Sequence, residues 1–299
     1  MAASEKSKAH LALLATNLFF AINFTTVKYL LSEGFIKSFS LNLVRVGVCA
    51  ILLWALYLFK PVKSRIEKKD LGRLFLCALA GIAINQLLFV KGLSLTYSIH
   101  ASLLMLVTPI LITIMAAFFL KEKLGWPKII GLLLGVIGAI VLIVDRTTSS
   151  SASNPILGDM LIIVNAVSYT IYFILVKPLM LKYNPIVVMR MLFSIGFFLI
   201  LPFCFTQFMA TDFTAFTDIA WANLAIICVL GTFLAYIFNV YGIKHLGASI
   251  AGAYIYIQPI LAAIIAIIFL KESLDIQKII AGLMIAAGVY ISTKKWENA

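Results

Sequence analysis

Ten long apolar stretches follow one another along this chain, and they leave it few ways to fold. They cover residues 10–31, 39–59, 73–91, 97–120, 126–144, 157–177, 186–206, 219–242, 248–270 and 276–293. A helix needs roughly 20 apolar residues to cross the hydrocarbon core of a bilayer. Lipid offers no partner to backbone amides, so a spanning segment must be a helix or part of a closed barrel. Barrel strands run ~10 residues and alternate apolar with polar positions; these stretches do neither. The sequence therefore predicts an all-α integral membrane protein with ten transmembrane helices. Its composition agrees: 63% of residues are hydrophobic and 12% charged, against about 25% charged in soluble domains.

The net charge of +12 would suggest nucleic acid in a soluble protein. Here the basic residues punctuate the apolar stretches instead of forming a patch, which points to a lipid bilayer as partner and not to nucleic acid. With the N-terminus inside, sixteen Lys and Arg fall on the inner side, most of them in 60–73 and 121–128, and six fall outside (Lys28, Lys37, Lys91, Arg146, Lys271, Lys278). That bias predicts cytoplasmic termini. "MAASEKSKAH" leads directly into the first apolar stretch, which is expected to be an uncleaved spanning helix.

The second constraint is a repeat. "FLKEKLGWPKII" (119–130) returns as "FLKESLDIQKII" (269–280), with eight of twelve positions identical at an offset of 150. Pro109 matches Pro259, Gly92 matches Gly242, Ala101 matches Ala251, and Gly138 matches Gly288. The chain divides into a first repeat over 1–147, a Ser-rich linker over 148–155, and a second repeat over 156–299. Each repeat holds five stretches. Five is odd, so the second enters the membrane from the opposite face. Inverted repeats of this kind serve alternating access, with the substrate near the midplane at the repeat interface.

Two five-helix units, each ending in P-I-L-x(7)-F-L-K-E-x-L-x(3)-K-I-I and opening with "NFTTVKY…LVR" (23–45) or "GDMLIIVNAVSYTIYFILVKP" (158–178), resemble the EamA-type units of the drug/metabolite transporter superfamily. The resemblance covers nearly the whole chain. It implies a ten-helix carrier of the bacterial inner membrane that moves small organic metabolites, amino acids or related compounds, in the direction of export.

Polar residues inside a bilayer are costly and mark substrate paths or helix contacts. Asn85 and Gln86 lie within the third stretch, Asn17 in the first, and Tyr169 and Tyr172 with Asn165 in the sixth. Asn239 follows Tyr236 in the eighth. His100 and Thr108 share a face of the fourth, and Tyr254 and Gln258 a face of the ninth beside Pro259. A wall of tyrosines and amides suits a zwitterionic or modestly apolar metabolite; the same residues would also serve helix packing.

Charged residues at the stretch ends repeat too. Glu272 stands on the same side as Lys28 and Arg45, and Glu122 on the same side as Lys177 and Arg190. Each acid is expected to pair with the basic residues on its side when that face closes; interfacial anchoring is the plainer alternative. All twelve acidic residues fall in loops, tails or helix ends, so no midplane carboxylate is available and ion coupling is expected to be weak or unconventional.

No H-E-x-x-H, G-x-S-x-G or Walker loop occurs, so neither an enzyme nor an ATP-driven pump is expected. The four cysteines sit inside apolar stretches without a C-x-x-C, which implies no metal site, and no cofactor is implied. A scaffold or lipid-handling protein remains an alternative to a carrier, and the sequence is compatible with a monomer.

Overall fold

The computed structural model describes residues 3–59, 66–108, 110–111, 114–115, 126–143, 152–246, 254 and 257–293. Ten helices stand among them, one in each apolar stretch. They are α1 (Ala3–Ser32), α2 (Ser38–Phe59), α3 (Lys68–Leu95), α4 (Ser98–Val107), α5 (Trp126–Ile143), α6 (Pro155–Lys182), α7 (Pro185–Met209), α8 (Asp218–Leu246), α9 (Gln258–Leu270) and α10 (Ile276–Thr293). No strand occurs among the described residues. Six helices are long and apolar enough to cross a membrane: α1, α2, α3, α6, α7 and α8; the other four are shorter apolar helices.

Local chemistry sets several boundaries. α6 and α7 each start on a proline, whose missing N–H costs nothing at that position. The asparagine before each caps the helix: Asn154 accepts from the Leu157 amide at 3.2 Å and Asn184 from the Ile186 amide at 2.9 Å. α8 follows the Thr217 cap, which accepts from Ala220 at 3.2 Å. At its far end, α9 stops where Lys271 turns left-handed, with φ 54°.

Large apolar side chains cover the outside. Phe59 is 85% exposed and Phe269 72%. In water such a surface would drive aggregation; in lipid it is the solvated face. The four cysteines are buried and free.

The helices pack in matched pairs. α5 lies against α10 and α2 against α7; α3 lies against α6 and α1 against α8; α1 meets α9 and α6 meets α4. The α5–α10 contact brings two backbones together. A Cβ on Gly288 would stand 2.5 Å from the Gly135 nitrogen and 2.6 Å from the Gly131 oxygen, and one on Gly138 2.9 Å from the Ala281 oxygen. Only glycine permits that backbone approach.

Two helices depart from α geometry in the middle. α3 widens to a π-helix over Leu79–Ile84 and α8 over Ile226–Leu234. Gly81 and Gly231, 150 residues apart, lie within these segments. Such widened turns leave carbonyls for other partners and recur at functional sites.

Candidate functional site

Where α3 turns into α4, the backbone of residues 93–99 is gripped by three other parts of the chain. From α1, the Lys28 ammonium donates to the carbonyls of Leu93 at 3.3 Å and Thr96 at 2.6 Å. These are end-of-helix oxygens that lack a donor within the helix, and the partial negative charge there favours a cation. Beyond α9, Glu272 accepts from the amides of Ser98 at 2.8 Å and Ile99 at 3.0 Å. From α6, Asp159 accepts from the Thr96 hydroxyl and meets Nδ1 of His100 at 2.9 Å. Lys278 of α10 sits 5.5 Å from the Tyr97 ring centroid and donates to Ser273 at 2.9 Å and Asp275 at 3.3 Å.

This end of the bundle is sealed. His100 and Asp159 are fully buried, Lys28 is 1% exposed, Lys278 2% and Glu272 4%. α3 and α6 approach so closely beside the seal that a Cβ on Gly158 would stand 2.7 Å from the Thr96 nitrogen and 2.8 Å from the Gly92 oxygen. Buried ions are tolerated only when paired and hydrogen-bonded, and here each basic and acidic head has a partner.

A second polar layer lies around the widened turns. Ser168 of α6 donates to the Ala80 carbonyl at 2.8 Å, and Asn165 donates to the Asn85 carbonyl at 2.7 Å. Thr232 donates to the Ile227 carbonyl five residues back, at 2.8 Å. Its oxygen then accepts from Nε of Arg45 at 3.3 Å. One turn further, the Tyr236 hydroxyl accepts from Gln86 at 3.1 Å. Several buried atoms in this layer have no hydrogen-bond partner: Asn23 Oδ1, both amide atoms of Asn42, Arg45 Nη1, Gln86 Oε1 and Asn165 Oδ1.

The residues singled out by sequence fall into three groups. Asn85, Gln86 and Arg45 belong to the middle layer, and Tyr169 and Tyr172 pack nearby with ring centroids 5.7 Å apart. Lys28, His100 and Glu272 belong to the sealed end. The rest are dispersed. Asn17 donates to Leu13 in its own helix at 2.8 Å. Tyr254 meets Nδ1 of His10 at 2.8 Å. Thr108 is buried with its hydroxyl unbonded, while Asn239 and Gln258 are half-buried. Arg190 lies over Tyr57 and Trp54, 3.8 and 4.4 Å from the ring centroids. Lys177 lies on α6, and Glu122 lies outside the described residues.

The expected pairing of Glu272 with Lys28 takes another form. Glu272 holds amide hydrogens and Lys28 holds carbonyl oxygens of the same turn, because the two helix ends present free donors and acceptors there. Sequence reasoning missed Asp159, which stands near a helix end yet is fully buried, and also Asn23, Asn42 and Thr232. The Gly81/Gly231 repeat was the available signal for the widened turns that present Thr232.

Residues 7–144 and 156–294 each match the EamA-like transporter family. The chain is 26% identical over 289 residues to an uncharacterized transporter of Archaeoglobus fulgidus, covering 97% of this chain and 98% of the relative. It is 25% identical to a WAT1-related protein of Arabidopsis thaliana, covering 98% and 88%. It is also 25% identical over 294 residues to a probable terminal-alkyne amino-acid exporter of Streptantibioticus cattleyicolor, covering 97% and 94%. A protein crystal structure shares the fold with a TM-score of 0.63 at 17% identity, over 98% of this chain and 97% of that one. The chain belongs to the EamA-like transporter family, whose members are multi-pass membrane proteins.

Proposed function

We propose that the protein is a secondary carrier that exports small organic metabolites, amino acids or related compounds, across a bacterial inner membrane by alternating access. All ten helices span, in two inverted sets of five joined at 148–155, with both termini in the cytoplasm. The observation that carries this reading is the exchange of partners between the halves. α1 packs on α8 as α6 packs on α3, α1 on α9 as α6 on α4, and α2 on α7 and α5 on α10 are self-matched. Gln86 bonds Tyr236, its counterpart at the offset of 150, as it would if both stood beside a pseudo-two-fold axis. Two halves related in this way can trade conformations, and the trade moves a central site from one face to the other.

On this topology the sealed end is the outer face, so the structure represents the carrier closed to the outside. Lys28 and Glu272, with Asp159 and His100, form the outer gate. Glu122, Lys177 and Arg190 belong to the inner one. Asn17, Thr108, Tyr169, Tyr172, Asn239, Tyr254 and Gln258 line the substrate's route with Asn85 and Gln86. Transport by the purified protein in proteoliposomes, loaded with a mixture of labelled amino acids, tests the reading. Efflux above that of protein-free vesicles supports it, and equal efflux for every compound tried sinks it.

A further inference from the structure

The middle layer contains a buried cation that the protein leaves unanswered. Arg45 is 3% exposed, and a guanidinium keeps its charge in a protein. Its Nε–H goes to the Thr232 hydroxyl, a neutral acceptor whose own proton is spent on Ile227. Nη1 is buried with no hydrogen-bond partner, and no ion pair involves Arg45 among the described residues. Arg190, its counterpart in the LVR and VMR phrases of the two halves, also has Nε and Nη1 without a hydrogen-bond partner, but it lies over the faces of Trp54 and Tyr57, which attract a cation.

Other open valences lie around it. Asn42, three residues before Arg45 on α2, has both amide atoms unbonded, and Gln86 leaves its oxygen unbonded beside Tyr236. Asn23 faces Gly231, the neighbour of Thr232, with its oxygen unbonded. Unsatisfied buried polar atoms are few in native proteins, so a group of them around one cation marks a place for a guest. An anionic guest would take up the spare guanidinium hydrogens in charge-assisted bonds. Next to the layer lies a crevice of about 10 Å³, room for about one water molecule, between α2, α7 and α8 beside Cys49, Leu53, Met189, Phe233, Tyr236 and Val240. Cys49 is one turn from Arg45, and Tyr236 one turn from Thr232. Apart from the Tyr236 hydroxyl, those side chains are apolar.

We propose that Arg45 is the carboxylate-binding residue of the transport site, with Asn42 and Gln86 beside it. The ligand class is a small carboxylic acid. This rests on the carrier reading and narrows its substrate; it also moves Arg45 from the gate to the site.

The test uses the purified full chain and defined probes: hexanoate, L-leucine and L-phenylalanine, each beside its primary amide. Acids should raise the melting temperature of the wild type and amides should not, since a ligand bound to the folded state stabilises it. The apparent Kd of the acids should rise at least about tenfold in Arg45→Gln, the loss of one charged hydrogen-bonding partner. Arg45→Lys, which keeps the charge but not the planar fork, should fall between the two. If Arg45→Gln does not fold, Arg45→Lys and Thr232→Val carry the test, each expected to weaken the acids and not the amides. The proposal is overturned if no acid stabilises the wild type more than its amide, or if the acids bind the variants as tightly as the wild type. Flux separates the two readings. Acid binding that depends on Arg45 without flux in proteoliposomes would remove the carrier and keep the site. Flux that is indifferent to Arg45 would do the reverse.

Discussion

Single residues act here mainly through what their absence would leave unpaired. Replacing Asp159 by Ala strips a buried partner from His100 and Thr96. Breaking a buried pair on one side typically costs about 3–5 kcal/mol, so Asp159→Ala should melt far below the wild type in detergent. An unchanged melting temperature would show that the seal adds nothing to stability. Glu272→Gln is milder. It keeps one acceptor oxygen for the Ser98 and Ile99 amides but loses the second acceptor and the charge. A cysteine at Ile99 should then react faster with an impermeant maleimide added from outside, and an unaltered rate would remove Glu272 from the gate. At the opposite end, hydrogen bonds from Lys182 and then Lys69 hold the exposed Glu67 carboxyl below its ordinary value. A depressed folded-state pKa adds stability above the ordinary carboxylate range and loses it as pH falls through the folded value. Glu67→Gln should thus melt slightly below the wild type at neutral pH and match it near about pH 3. A gap of the same size at both would assign the difference to packing.

Elements are where sequence and structure part company. The ten apolar stretches gave the helices their number and order, because hydropathy is local. The widened turns of α3 and α8 left only the Gly81/Gly231 match as a trace in the sequence, since the hydrogen-bond register itself is not written in hydropathy. Their consequence is chemical: Thr232 reaches Ile227, five residues back, and so turns its oxygen to Arg45. Arg45 could be picked out as a charge within a span, but its partner lies 187 residues away, and no local pattern carries that distance. His100 and Asp159, 59 residues apart, escaped for the same reason. Gly138 and Gly288 were picked out as repeat matches, and both fall in the close contact of α5 with α10. Gly288→Val should cost about 1–3 kcal/mol by overpacking, for its Cβ meets backbone of α5 that cannot turn aside. Gly72→Ala, with nothing within 4 Å, is the control and should be near neutral in the same melting assay. Equal effects would discount the α5–α10 contact.

At the scale of the whole molecule the prediction is one of sidedness. In a background lacking Cys49, Cys77, Cys204 and Cys228, cysteines at Glu33 and Asp218 should label in intact cells with an impermeant maleimide. Cysteines at Lys69 and Lys244 should label only after permeabilisation. Labelling of all four from outside would end the inverted arrangement. If the arrangement holds, the two halves are near copies, and a perfect pair of copies would have no reason to rest facing one way. Any resting preference must therefore come from positions where the copies disagree. The sealed end shows one such position. His100 binds Asp159 there, while the residue 150 positions on is Ile250, which can form no such bond at the other face. The direction in which this carrier waits is thus written in its mismatches, and exchanging His100 with Ile250 should tilt it the other way.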